Sequence, residues 1–367
     1  MPIFQGNPDY AHDSNSCLGV LITNLGTPDA PTTSAVRKYL AEFLWDPRVV
    51  EIPRPIWWLI LHGFVLRTRP SKSVHAYEKV WTEEGSPLLV ISKQQCVALQ
   101  SELGKNYSGN IKVELAMRYG QPSIRSALDV LRSHHVTRLL VLPLYPQYSA
   151  STTASTFDAI AEYFMKLRWL PEMRMVNHYG SELAYIDACA QQLQNFWQLN
   201  KRSQKLLFSF HGLPIRYLLQ GDPYHCECHQ TARLIAEKLN LKDEEWELAF
   251  QSRFGKAKWL QPYIEKRLEA LPDEGVKTID VFCPGFSADC IETLEEIDMQ
   301  DREIFLKNGG QNFNYIPALN AESFHVQALV KIILKHISGW PADASSLNKS
   351  ETKLAIKERA IQLGAKQ

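Results

Sequence analysis

Two groups in this chain could carry chemistry at neutral pH. The segment Lys205-Leu206-Leu207-Phe208-Ser209-Phe210-His211 reads as a strand ending on an imidazole, followed at once by Gly212 and Pro214. A neutral imidazole, with an ordinary pKa of about 6.5, can accept a proton or give its lone pair to a transition metal. Further on, Cys283-Pro284-Gly285-Phe286 opens into a segment where Asp289, Glu292 and Glu296 fall at i, i+3 and i+7. A regular helix would show those three carboxylates on one face, able to pass protons or hold a hydrated cation. A third strand ends in Arg118-Tyr119-Gly120, a fixed guanidinium suited to a carboxylate ligand. Each group has a blander reading. His211 could be a buried histidine bonded to backbone, and the acids a solvated first turn favoured by the helix dipole. The turns after His211 and before Glu292 predict exposure at a crevice instead.

Such residues need elements to position them. Short apolar runs predict strands at Leu18–Asn24, Ile111–Arg118, Arg138–Pro143, Arg174–His178, Lys205–His211, Trp246–Gln251, Thr278–Cys283 and Asn314–Pro317. Helical periodicity predicts helices at Thr33–Trp45, Ser123–His134, Ser155–Leu167, Glu182–Trp197, His229–Leu239, Ile291–Leu306 and Ala321–Ile337. Alternation of this kind gives parallel sheets covered by helices, with ligands beyond the carboxyl ends of the strands. At 367 residues the chain is long enough for two such units, joined near residue 180, with the last helix crossing back onto the first. The stretch Pro341–Gln367 reads as a polar, loosely held tail.

Several functions are excluded. The first strand runs into Asn24-Leu25-Gly26-Thr27-Pro28, which is not a dinucleotide turn, and no Walker A sequence occurs. Basic and acidic residues number 40 each, so no basic face points to nucleic acid. The seven cysteines are scattered and odd in number, as in a reducing compartment. The polar start lacks the apolar core of a secretory signal, and the longest apolar run is too short to cross a bilayer. A cytoplasmic location is expected.

At its chemistry-bearing segments the chain resembles the ferrochelatases, most nearly the Gram-negative bacterial type, over about Leu18 to His336. The resemblance rests on Gly19–Pro28, Gly85–Leu88, Pro143–Ser149, Phe210–Pro214, Phe250–Gly255, Cys283–Glu296 and Tyr315–Asn320, in that order. It implies an α/β fold of two similar Rossmann-like domains, each a parallel sheet flanked by helices, with a porphyrin cleft between them. The first would span 17–178 plus 320–340 and carry the cleft lip; the second, 179–319, would carry the metal site. His211 and Glu292 match the family's metal-site pair. Arg118 and Tyr119 match its porphyrin-contacting pair, with Leu25, Tyr77 and Ser86 on other cleft-lining segments. Glu292, with Asp289 and Glu296 behind it, could relay protons outward or hold hydrated iron by oxygen ligands.

The implied reaction puts Fe²⁺ into protoporphyrin and releases two pyrrole protons. A puckered ring exposes its nitrogen lone pairs, a distortion of about 1–5 kcal/mol drawn from binding energy. Arg118 would take a propionate. His211 must be unprotonated, so activity should fall in acid, and an N/O site should also accept Zn²⁺ or Co²⁺. Iron is the substrate metal, and no organic cofactor is expected. Where some relatives hold an iron–sulfur cluster by cysteines, Ala150 follows Ser149 and no cysteine lies beyond Cys290, so no cluster is expected. Cys290 stands where related enzymes often have histidine. The apolar segment Ile52–His62 is either core or a cleft lip meeting a membrane peripherally. His225-Cys226-Glu227-Cys228-His229 has the composition of a metal site but not the spacing of a known zinc pattern, and a chance cluster at a helix start is favoured. A non-catalytic porphyrin carrier, and a chelatase for another metal or tetrapyrrole, are the alternatives. A monomer is favoured.

Overall fold

In the computed structural model, residues 4–7, 13–14, 16–253, 255, 257–340 and 353–366 are described. Two four-stranded, all-parallel sheets carry the same topology. The first is built from β1 (Cys17–Gly26), β2 (Ile111–Tyr119), β3 (Val136–Pro143) and β4 (Glu172–Met175), in spatial order β2-β1-β3-β4. The second, from β5 (Lys205–His211), β6 (Trp246–Gln251), β7 (Thr278–Phe282) and β8 (Asn312–Ile316), runs β6-β5-β7-β8. Strands β1 and β5 read as nearly unbroken apolar runs because both faces of each sheet are covered.

The helices of the first half are α1 (Thr33–Trp45), α2 (Arg54–Ile60), α3 (Leu66–Val80), α4 (Pro87–Asn106), α5 (Ile124–Ser133) and α6 (Ser155–Phe164), followed by α7 (Leu183–Leu199) before the second sheet. Those of the second half are α8 (Ile215–Leu219), α9 (Tyr224–Lys238), α10 (Ile264–Ala270), α11 (Arg302–Lys307) and α12 (Ser323–His336); α13 (Lys353–Gln362) follows. Side chains such as Val20 and Ile22 of β1 and Phe208 and Phe210 of β5 enter one continuous core with α4, α7, α9 and α12. The opposite faces have separate cores, with α5 and α6 on the first sheet and α10 and α11 on the second. Helix α12 packs against α4 and α7, so the chain does cross back to the first sheet.

Most expected elements are present; the differences have local causes. Strand β4 ends early because Tyr179 and Gly180 donate their amides to Pro146 O, turning the chain away from the sheet. Helix α9 begins at Tyr224 rather than His229, since Asp222 Oδ1 accepts from the Tyr224 amide. Helix α4 lacks a clean apolar stripe because its buried side includes Ser92 and Gln95. Gln95 Nε2 donates to the Ser287 and Asn320 carbonyls, each at 2.9 Å, tying α4 to the second half. Of the expected tail, 341–352 and 367 lie outside the described residues, while α13 forms a helix whose Lys357 approaches Asp13 at 3.5 Å. Among the described residues no helix is long and apolar enough to cross a membrane.

Candidate active site

Beyond the carboxyl ends of β1, β3, β5 and β7 lies a two-chambered cleft. An outer chamber of about 450 Å³ opens past Phe43, Val50, Arg69 and Trp259. An inner one of about 100 Å³ is closed by Tyr145, Phe286 and Cys290. Leu25, Thr152, His211, Tyr224 and Glu292 line both, and so mark the throat between them. The imidazole and the carboxylate singled out by sequence therefore share one boundary.

His211 is the last residue of β5, in register with Gln251 of β6. Its Nδ1 lies 2.7 Å from Gly212 O. A carbonyl can only accept, so Nδ1 carries a proton, and in the neutral ring Nε2 is the nitrogen with the lone pair. Gly212 is required here: a Cβ would stand 2.7 Å from Gln251 O, in the turn that bends the chain out of the sheet. Gln251 also sets the partner residue, its Nε2 donating to Glu292 O at 2.9 Å while Ser209 Oγ donates to its Oε1 at 2.8 Å.

Glu292 opens a π-helix, Glu292–Asp301, that leads into α11. The regular helix expected over Ile291–Leu306 is thus replaced in its first half by a wider one, a form frequent at functional sites. Wider turns bring Glu292 and Glu296 about one turn apart, and both line the outer chamber. Ser252, held at a left-handed φ of +63°, donates Oγ to Glu296 Oε2 at 2.5 Å. Burial nevertheless pushes the Glu296 carboxyl above its usual range, with the Glu292 charge adding to the effect; the Ser252 hydrogen bond and His211 oppose it. Glu295, which also lines the outer chamber, is buried and paired with Lys79 at 2.8 Å.

Several expected positions take other roles. Asp289 precedes the π-helix and lines neither chamber. Its oxygens accept from Thr293 Oγ1, Asn320 Nδ2, the Ala318 amide and Tyr315 Oη, so the carboxylate clamps the β8 end. Arg118, expected to meet a propionate, is held within the protein and lines neither chamber. Its guanidinium donates to Asp46 Oδ2 at 2.6 Å and to Ser155 O and Oγ at 2.9 and 2.7 Å, over the Tyr119 ring. Tyr119, fully buried, also donates to Asp46 and packs its ring against Phe43, so it supports the cleft wall from behind. Tyr77 and Ser86 are buried and line neither chamber; Ser86 Oγ accepts from Thr27 Oγ1 at 2.9 Å. Burial and the neighbouring Glu292 charge push the Tyr77 phenol well up. Burial likewise pushes the Cys290 thiol up, so it offers the inner chamber a neutral group and no thiolate.

The ferrochelatase family model matches residues 17–337. The chain belongs to the ferrochelatase family. Ferrochelatases from Marinobacter nauticus and Thioalkalivibrio sulfidiphilus are 53% and 54% identical to it. The first alignment covers 98% of this chain and 97% of the relative, the second 99% of each. Among solved structures, SirB from Bacillus subtilis with Fe³⁺ gives a TM-score of 0.52 at 12% identity, covering 90% of this chain and 98% of that one. At that identity the likeness is one of fold, a two-sheet chelatase architecture. Within this ferrochelatase frame, sequence reasoning missed Arg69, Tyr145, Tyr224 and Trp259. Arg69 comes from α3, whose place over the cleft no motif announced, and the aromatics carried no spacing that set them apart from core.

Proposed function

We propose that His211 and Glu292 form the point at which ferrous iron enters protoporphyrin in this ferrochelatase, the enzyme of the terminal step of haem biosynthesis. Fe²⁺ and the free-base ring are substrates; protohaem and two protons are products. The observation that carries the assignment is the fixed tautomer of His211 at the throat: with Nδ1–H held by Gly212 O, Nε2 is the atom that can take a pyrrole proton or ligate the metal. Glu292 on the same boundary accepts the proton or holds the cation by oxygen, and Glu296, with its raised affinity for protons, passes them toward the outer chamber. The macrocycle would lie across the outer chamber against Leu25, with Arg69 rather than Arg118 the cation that faces it.

The same reading includes a monomer in the cytoplasm without organic cofactor or iron–sulfur cluster, divided as 17–178 plus 320–340 and 179–319. Ile56, Trp58, Leu59 and Phe64 are exposed while Trp57 and Leu61 are buried, an arrangement suited to a lip that touches a membrane surface.

Anaerobic incubation of the protein with protoporphyrin and Fe²⁺ should give the haem spectrum. His211→Ala should lose turnover and keep porphyrin binding. Binding lost with turnover intact at saturation would reassign His211, and porphyrin bound without haem formation by the parent protein would make it a carrier.

A further inference from the structure

Away from the cleft, α9 presents His225 and His229 side by side on its outer face, at i and i+4. Their ring centroids are 4.5 Å apart with planes at 52°. Phe250 braces both from beneath, its ring stacked on His225 at 5.6 Å and tilted to His229 at 6.2 Å. The two imidazoles border an open groove that also takes in Cys226, Glu237 and Asp243. Among the described residues neither ring has a hydrogen-bond partner, in contrast to the neighbouring His178, paired with Glu227 at 2.6 Å. Burial lowers the proton affinity of both rings, and His225 lowers that of His229 further, which favours the form with a free lone pair.

We infer that His225 and His229 form a second divalent-metal site, a two-imidazole chelate on α9 outside the cleft that takes borderline cations such as Zn²⁺, Co²⁺ or Ni²⁺. The geometry agrees with a shared ion. A metal about 2.0–2.1 Å from one nitrogen of each ring, with the two bonds between perpendicular and tetrahedral, needs centroids roughly 4.5–5 Å apart. Imidazole pairs at this helical spacing chelate zinc in other settings, and neutral nitrogen ligands suit these ions better than Mg²⁺ or Ca²⁺. Cys228 is fully buried, its thiol pushed up by burial, and Glu227 is engaged by His178 and the Tyr148 amide, so neither completes the shell. Water supplies the remaining positions. The inference does not rest on the assignment of His211.

Calorimetric titration of the full chain with Zn²⁺ at pH 7.5 tests it. The parent should bind two ions, one lost in His211→Ala and the other in the double variant His225→Gln, His229→Gln. Each single Gln variant should weaken that second ion at least tenfold. Alkylating Cys226 should leave both ions bound. Haem formation by the double variant, unchanged without added zinc, shows that it folds. A folded double variant that binds two Zn²⁺ with parental affinity, or loss of the second ion on Cys226 alkylation alone, overturns the assignment. So does a parent that binds a single ion removed by His211→Ala.

Discussion

The two sheets share one strand order and differ in what stands at equivalent ends. At the tip of β1, the centre of the first sheet, the chain places Asn24 and Leu25; at the tip of β5, the centre of the second, it places His211. Next to β1, β2 ends in Arg118 and Tyr119, closed into a buried network on Asp46. Next to β5, β6 ends in Gln251, which with the following Ser252 reaches across to hold Glu292 and Glu296. The first half therefore supplies a rigid wall and the second the titratable groups. On the proposed reading, one scaffold, used twice, separates the work of shaping the cleft from the work of moving protons.

That contrast can be broken experimentally. The largest effect is expected at Glu292→Gln, where loss of an acid–base group at the throat should lower kcat by about 10²–10⁴-fold at unchanged porphyrin affinity. The matching change on the other side, Leu25→Ala, should act on KM and leave kcat within a few-fold; steady-state kinetics on both variants would erase the contrast if the order reversed. Arg118→Ala is next. It strands Asp46 without its guanidinium, so a loss of about 3–5 kcal/mol in denaturant unfolding is expected. A large rise in KM with stability intact would instead return Arg118 to direct ligand contact.

A smaller, pH-dependent effect is expected at Asp301, the last residue of the π-helix. Its Oδ2 is buried without a partner among the described residues, and burial, with help from Glu296 and Glu265, pushes the carboxyl up to about 8. A folded-state value raised above the unfolded one means that the protonated acid favours the native state. That contribution is complete below about pH 4 and disappears as pH climbs through about 8. Asp301→Asn keeps a neutral side chain throughout. It should match the parent near pH 4 and exceed it near pH 9 by on the order of a few kcal/mol, read from melts at both pH values. The smallest effect is expected for Ser252→Ala. Without the donor the Glu296 carboxylate is less favoured and its proton affinity rises further. The acid limb of the rate profile should then move to higher pH by less than about one unit; a shift to lower pH would contradict the hydrogen bond's role.

How far the site could be read from the sequence depended on how local its causes were. His211 was legible because a strand signal stopped on an imidazole followed by Gly-Leu-Pro, all within ten residues. The Glu292 segment was legible in residue type but not in shape. Sequence periodicity assumes 3.6 residues per turn, and nothing in Glu-Thr-Leu-Glu-Glu announces a π-helix, so Asp289 was placed on a face it does not share. The setting of Arg118 was hidden for a different reason: Asp46, its partner, lies 72 residues away in sequence. The same distance effect hid α4, whose buried Gln95 Nε2 donates to carbonyls more than 190 residues on. Polar residues whose partners arrive only with the tertiary fold break the pattern that sequence reading relies on.

The apolar layer formed by α4, α7, α9 and α12 belongs to both sheets at once. Dividing the polypeptide near residue 180 would strip each half of part of its own interior and leave a greasy face open to water. Separately expressed halves should therefore clump rather than fold, and become soluble only when produced together.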